Sequence, residues 1–204
     1  MIPGTYHPYL RKTIGVISIS FPLVLYVAGK LLFNLELQLS FSAYYHTPMQ
    51  DIFVGMLCML GILLILDNEY PKRDLLLSIS AGLFAIIISL LPANVSLMDE
   101  PTLADTLHTL AALLLFILLA IIALKVFTQE IYHVSFASLS ISSKTIYQLC
   151  GYIILLSVVL FFALRLSPLP ILTTLQSYHT IFWLETAATL AFGFAWLTKG
   201  YEHR

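Results

Sequence analysis

Apolar residues gather into six runs, at about 14–33, 50–66, 75–91, 107–127, 146–164 and 180–198, and charged residues fall almost entirely between or at the ends of them. Each run is close to the ~17–25 residues that a helix needs to cross the hydrocarbon of a bilayer. The pattern predicts an all-α fold, a polytopic membrane helical bundle of six transmembrane helices in a single integral membrane domain, residues 1–204. The second and third runs are the shortest, so their ends are expected against protein or in a thinned interface rather than in lipid. The first run follows Arg11-Lys12, is longer than a signal-peptide core and lacks a small-residue cleavage signature, so it reads as a permanent span.

Composition supports the same class. With 59% hydrophobic and 10% charged residues and a mean hydropathy of +0.92, a 204-residue chain has more apolar surface than a soluble core of that size hides. A net charge of −1 and ten dispersed Lys and Arg residues exclude a dense phosphate-binding face, so nucleic acid is not an expected partner and membrane lipids are. Cys58 and Cys150 both lie inside apolar runs and read as small packing residues, with no disulfide framework or metal-type spacing.

Charge also sets an orientation. Arg11, Lys12, Lys72, Arg73, Lys125, Lys144, Lys199 and Arg204 fall on one side of the six runs, and only Lys30 and Arg165 on the other. The positive-inside rule then places both termini in the cytoplasm. The inner stretch at about 128–145, with Ser135, Ser138, Ser140, Ser142 and Ser143, reads as a solvated loop.

Candidate chemistry emerges once ionisable residues are sorted by side. Three of the six histidines, His46, His108 and His179, fall on the outer face, one at the mouth of each even-numbered span, alongside Asp51, Asp105, Arg165 and Glu185. Glu185 lies six residues beyond His179, about 9 Å deeper along a helix. Charges at such depth persist by facing a bundle interior, a partner or water, so Arg165 is expected to pair with Asp51 or Glu185. Asp105 and His108 are three apart and share a helix face, where the carboxylate can orient the imidazole.

Structural roles account for some of these residues equally well. Glu36, Asp99 and Glu100 read as solvated loop charges, and Tyr44, Tyr45 and His46 as an interfacial aromatic belt. Trp183, Trp196, Tyr178 and Tyr201 read as interface anchors, and Gly55, Gly61, Gly82, Gly151 and Gly193 as helix-packing positions. His108 and His179 suit hydrogen bonds that cap a neighbouring loop.

If the outer face is a site, three chemistries suit it. His46, His108 and His179 could hold zinc with one position open to water, which then attacks an ester or amide. Without metal, His46 or His179 serves as general base beside Asp51 or Glu185. In a binding site, Arg165 holds an anionic head group among Tyr44 and Tyr45.

The stretch Ala81-Gly82 through Leu91-Pro92, followed by Leu107-His108 through Ala112, resembles the six-span bacterial domain related to the Frag1/DRAM/Sfk1 group, in which a glycine-containing span ends in proline and the next opens with histidine. Tyr44-Tyr45-His46-Thr47, Asp51-Ile52-Phe53-Val54-Gly55 and Phe182-Trp183-Leu184-Glu185 extend the likeness over most of the chain. It implies a six-span topology in a bacterial inner membrane. Ser42-x-x-x-His46 also matches a motif of the CREST membrane hydrolases, which include alkaline ceramidases. That resemblance implies Ser42, Asp51 and His179 as site residues. The second CREST motif is missing, since Trp183 stands four residues after His179, and CREST proteins have seven spans.

Together these readings lead to an outward-facing site. The first expectation is a metal-dependent lipid-processing hydrolase, with His46, His108 and His179 as zinc ligands or bases and Ser42, Asp51, Asp105 and Glu185 as catalytic groups. The alternative is a non-catalytic lipid- or partner-binding protein with a structural polar network. A small-solute transporter comes third, because the charges gather at one end rather than along a path.

Overall fold

The computed structural model describes residues 7–67, 72–94, 100–129, 133–136 and 139–202; Asp99, Ser138, His203 and Arg204 lie outside them. The first apolar run forms α1 (His7–Leu23), a π-helical turn at Val24–Ala28 and α2 (Gly29–Phe33). Pro22 has no N–H to give to the helix ladder, and the wider turn follows just after it. A short 3-10 turn, Ser42–His46, leads into α3 (Gln50–Leu66), whose bounds coincide with the second apolar run. Next come α4 (Lys72–Leu90) and α5 (Leu103–Ile121), the latter continued by a π turn, Ile122–Val126. The chain finishes with α6 (Ser143–Arg165), the short α7 (Leu169–Ser177) and α8 (Thr180–Tyr201).

Between α5 and α6 the serine-rich stretch is not simply a loop. β1 (His133–Phe136) and β2 (Leu139–Ser142) pair antiparallel, with His133 opposite Ser142 and Phe136 opposite Leu139. Val134, Phe136, Leu139 and Ile141 alternate with polar residues within each strand, the period of two that favours a strand.

Four helical stretches, Pro8–Phe33, Leu103–Gln129, Ser143–Arg165 and Thr180–Tyr201, are long and apolar enough to cross a membrane. The chain is thus built as an integral membrane protein would be. Large apolar side chains on their outer faces are open, Leu156 at 58% and Val159 at 62%, as lipid contact requires. The 17-residue α3 reaches only about 25 Å, less than the ~30 Å of hydrocarbon.

Close backbone approach sets the helix pairs. A Cβ added to Gly15 of α1 would lie 2.7 Å from the Gly193 carbonyl oxygen of α8, and one added to Gly61 of α3 would lie 2.7 Å from the Gly82 oxygen of α4. Only glycine lets these backbones touch. Gly55 departs from the packing role expected of it, since nothing lies within 4 Å of a Cβ there. Trp196 also departs from its expected role as an interface anchor: it is fully buried, edge-on to Phe127 and Phe192, whereas Trp183 is exposed.

One end of the bundle is closed by buried charge. Arg11 Nε donates to Asp67 Oδ1 at 3.1 Å, and Lys199 Nζ to Glu202 Oε2 at 2.6 Å, with all four residues buried. Burying such charges requires close pairing. The opposite end, where α3, α5 and α8 begin and α4 and α6 finish, carries the polar residues singled out above.

Candidate functional site

At that end the helix termini position the polar groups. The Thr102 hydroxyl caps α5 by accepting the Asp105 backbone N–H at 3.1 Å. Asp105 therefore sits in the first turn, where the helix dipole favours its negative charge. Its Oδ1 accepts the Asn94 backbone N–H at 2.9 Å, and Arg165, in the last turn of α6, brings Nη2 to 3.7 Å from Oδ2. Among the described residues Arg165 pairs with Asp105, and not with Asp51 or Glu185, the partners the sequence suggested.

One helical turn beyond Asp105, His108 donates from Nδ1 to the Leu91 carbonyl at 2.8 Å. His46 donates from Nε2 to the Ala93 carbonyl at 2.7 Å. α4 has ended at Leu90, so these carbonyls lack ladder partners, and the two imidazoles supply them. The orienting group for His108 is a carbonyl rather than the Asp105 carboxylate. With the proton on Nδ1, Nε2 of the neutral ring is the basic nitrogen.

Glu185 lies in the second turn of α8, and its Oε2 accepts the Phe41 N–H at 2.6 Å. The neighbouring Phe182 N–H bonds the Leu39 carbonyl at 3.1 Å, so the segment before the 3-10 turn is tied to α8 at two points. Phe41 packs edge-on to Phe182 and to Phe21. The Ser40 and Ser42 hydroxyls, 3.1 Å apart, follow on the same segment, and Ser40 Oγ also accepts the Ala43 N–H.

Two chambers meet here. The polar one, about 100 Å³, is walled by Ser42, Asn94, Asp105, His108, Ser157 and Glu185 together with apolar faces of α5, α6 and α8. The second, about 70 Å³, runs between α1, α3, α5 and α8 among Phe21, Phe53, Leu57, Leu64, Leu119 and Phe192. Ser42, His108, Ala112, Phe116 and Glu185 belong to the walls of both. From His108 to Leu119 the apolar chamber follows α5 for about 16 Å.

The structure therefore brings Ser42, Asp105, His108 and Glu185 around one space and leaves other expected members outside. Asp51 is exposed on the first turn of α3, and neither it, His46 nor His179 lines a chamber. His179 holds a left-handed backbone, φ 54°, where α7 turns into α8, and its side chain makes no capping bond. Among the described residues no three His, Cys, Asp or Glu side chains are placed to share a metal ion. The Ser42-x-x-x-His46 pair also separates, Ser42 turning to the chambers and His46 to Ala93.

Tyr44 and Tyr45 line neither chamber. Tyr44 is buried beside Phe182 rather than lying in an interfacial belt, and Tyr45 packs edge-on to His46. Burial raises the Tyr44 pKa above its ordinary value, against a hydrogen bond to the Gln38 backbone. At the surface, Lys30 donates to Glu36 at 2.6 Å and lowers the pKa of that exposed carboxylate.

Ser40, Asn94 and Ser157 were missed by the sequence reading. Ser157 had a signal: it interrupts the sixth helix on the same face as Cys150, Ile154 and Leu164, all buried. The chain matches no family model, no curated protein and no solved structure.

Proposed function

We propose that this chain is a six-span protein of a bacterial inner membrane, both termini cytoplasmic, that binds a lipid or related amphiphile at the outer end of its bundle. The observation that carries the binding reading is that Ser42, His108 and Glu185 are wall residues of both chambers. A head group in the polar chamber and a chain in the apolar one would meet at these three residues. Ligand sites of this kind combine an apolar wall with a few convergent polar groups. The eight-against-two distribution of Lys and Arg supports the orientation, and α3 and α4 complete the spans if the bilayer thins around them.

Hydrolysis of a bound ester or amide is the second reading. It rests on Ser42, His108, Asp105 and Glu185 sharing the polar chamber. In this form His108 Nε2 takes the proton as the Ser42 hydroxyl or a water adds to the carbonyl.

A fluorescent fatty-acyl probe titrated into detergent-purified protein tests the binding reading. Wild type is expected to saturate, and Ala112→Phe, which fills the junction, to bind at least about tenfold more weakly, a loss of about 1.4 kcal/mol. Equal binding by a folded Ala112→Phe protein overturns it. Turnover of an acyl ester that Ser42→Ala abolishes, with probe binding intact, supports the second reading.

A further inference from the structure

We infer that the amphiphile held at this site carries a cationic, amine-type head group that pairs with Glu185. The inference rests on the amphiphile-binding reading and adds the charge of the head.

Charge balance around the chambers leads there. The polar chamber is walled by two carboxylates, Asp105 and Glu185, and its described lining contains no Lys or Arg. Arg165 stands beside it, with its guanidinium already 3.7 Å from Asp105. A phosphate or carboxylate head would meet two anions and one cation that is already paired. An anionic head is therefore the wrong sign for this chamber.

Glu185 carries the unmet demand. Asp105 has a cation, whereas Glu185 takes part in no ion pair among the described residues. Among the described residues its one hydrogen bond is to Oε2 from a backbone N–H, and Oε1 remains for a ligand. A carboxylate held among apolar helices without a cation is costly and is otherwise relieved by protonation; a bound ammonium offsets that cost while keeping the charge. Position agrees with charge, because Glu185 belongs to both walls. An ammonium on Glu185 places the attached chain at the mouth of the apolar chamber. Ser42 and His108, at the same junction, offer further acceptors for N–H groups.

Competition against the fluorescent acyl probe tests this, using an n-alkylamine, an n-alkyl alcohol and an n-alkyl phosphate of one chain length. The experiment is run in an uncharged detergent, with partitioning into micelles read from protein-free blanks. Wild type should bind the amine at least about tenfold more tightly than the phosphate. Glu185→Gln keeps an acceptor oxygen for the Phe41 N–H, and should erase the amine's advantage while leaving the alcohol within about twofold. If the three probes compete equally, or the phosphate competes best, or the preference survives Glu185→Gln, the cationic head is wrong although amphiphile binding stands. If none competes and Ala112→Phe binds the acyl probe as wild type does, the underlying reading fails as well.

Discussion

The Arg165 guanidinium, in the last turn of α6, lies 3.7 Å from the carboxylate of Asp105 in the first turn of α5, and that carboxylate also accepts the Asn94 N–H. Two helix ends and the segment following α4 are thereby tied together beside the polar chamber. Because Asp105 is buried, removing its cation leaves an uncompensated charge. Arg165→Ala should cost about 1–2 kcal/mol. This is below the ~3–5 of a fully buried pair, because the Arg165 side chain keeps 29% of its exposure and the contact is long. Thermal melts of Arg165→Ala, Asp105→Asn and the double variant check this: the double should lose less than the two singles summed.

At the other end, Arg11→Ala should be more damaging, by about 3–5 kcal/mol, since it takes the guanidinium away from the wholly buried Asp67. Replacing both residues, Arg11→Met with Asp67→Leu, should recover most of that loss. A double variant as unstable as Arg11→Ala alone would show that the pair does more than neutralise itself.

The glycines offer an internal control. Gly61→Ala puts a methyl 2.7 Å from the Gly82 carbonyl oxygen and should destabilise by about 1–3 kcal/mol through separation of α3 and α4. Gly55→Ala meets open space on the same helix and should be neutral or stabilising by about 0.5–1 kcal/mol. Similar melting temperatures for the two variants would contradict the α3–α4 contact.

Tyr44 sets a pH dependence. Burial raises its folded-state pKa above the ordinary 10.0, so the neutral phenol is favoured in the fold. Its contribution to stability is fully present below that ordinary value and is lost as pH rises through the higher folded one. A tyrosinate absorbance titration of wild type against Tyr44→Phe should lose a late-titrating tyrosine. Loss of one that titrates in the ordinary range would contradict the buried placement.

The sequence conveyed the helices better than their rotation. The run at 50–66 became α3 without change, and Asp105 and His108 do share a wall, because their spacing of three fixes their relation on any helix. What spacing could not supply was the inward face. α3 is apolar all round, so nothing in its pattern says that Phe53, Leu57 and Leu60 turn inward while Asp51, Met59 and Ile62 turn outward. Asp51 was therefore grouped with residues whose chambers it does not line. The Arg165 partner was misjudged for the same reason, since three carboxylates near one membrane face are equivalent until the helices are packed. Likewise, the charge count put Arg11 on one side of the runs without indicating the contact with Asp67 that buries it. His46 and His108 are fixed by carbonyls freed at the end of α4, a boundary one residue from its expected place and too fine to read from composition.

Native mass spectrometry of the protein released from detergent tests most directly the claim that the joined chambers hold an amphiphile. About one small amphiphile should be retained per wild-type chain, or taken up on adding an n-alkylamine, and none in a folded Ala112→Phe variant. Equal occupancy in the two proteins, or none in wild type even with the amine present, would contradict it.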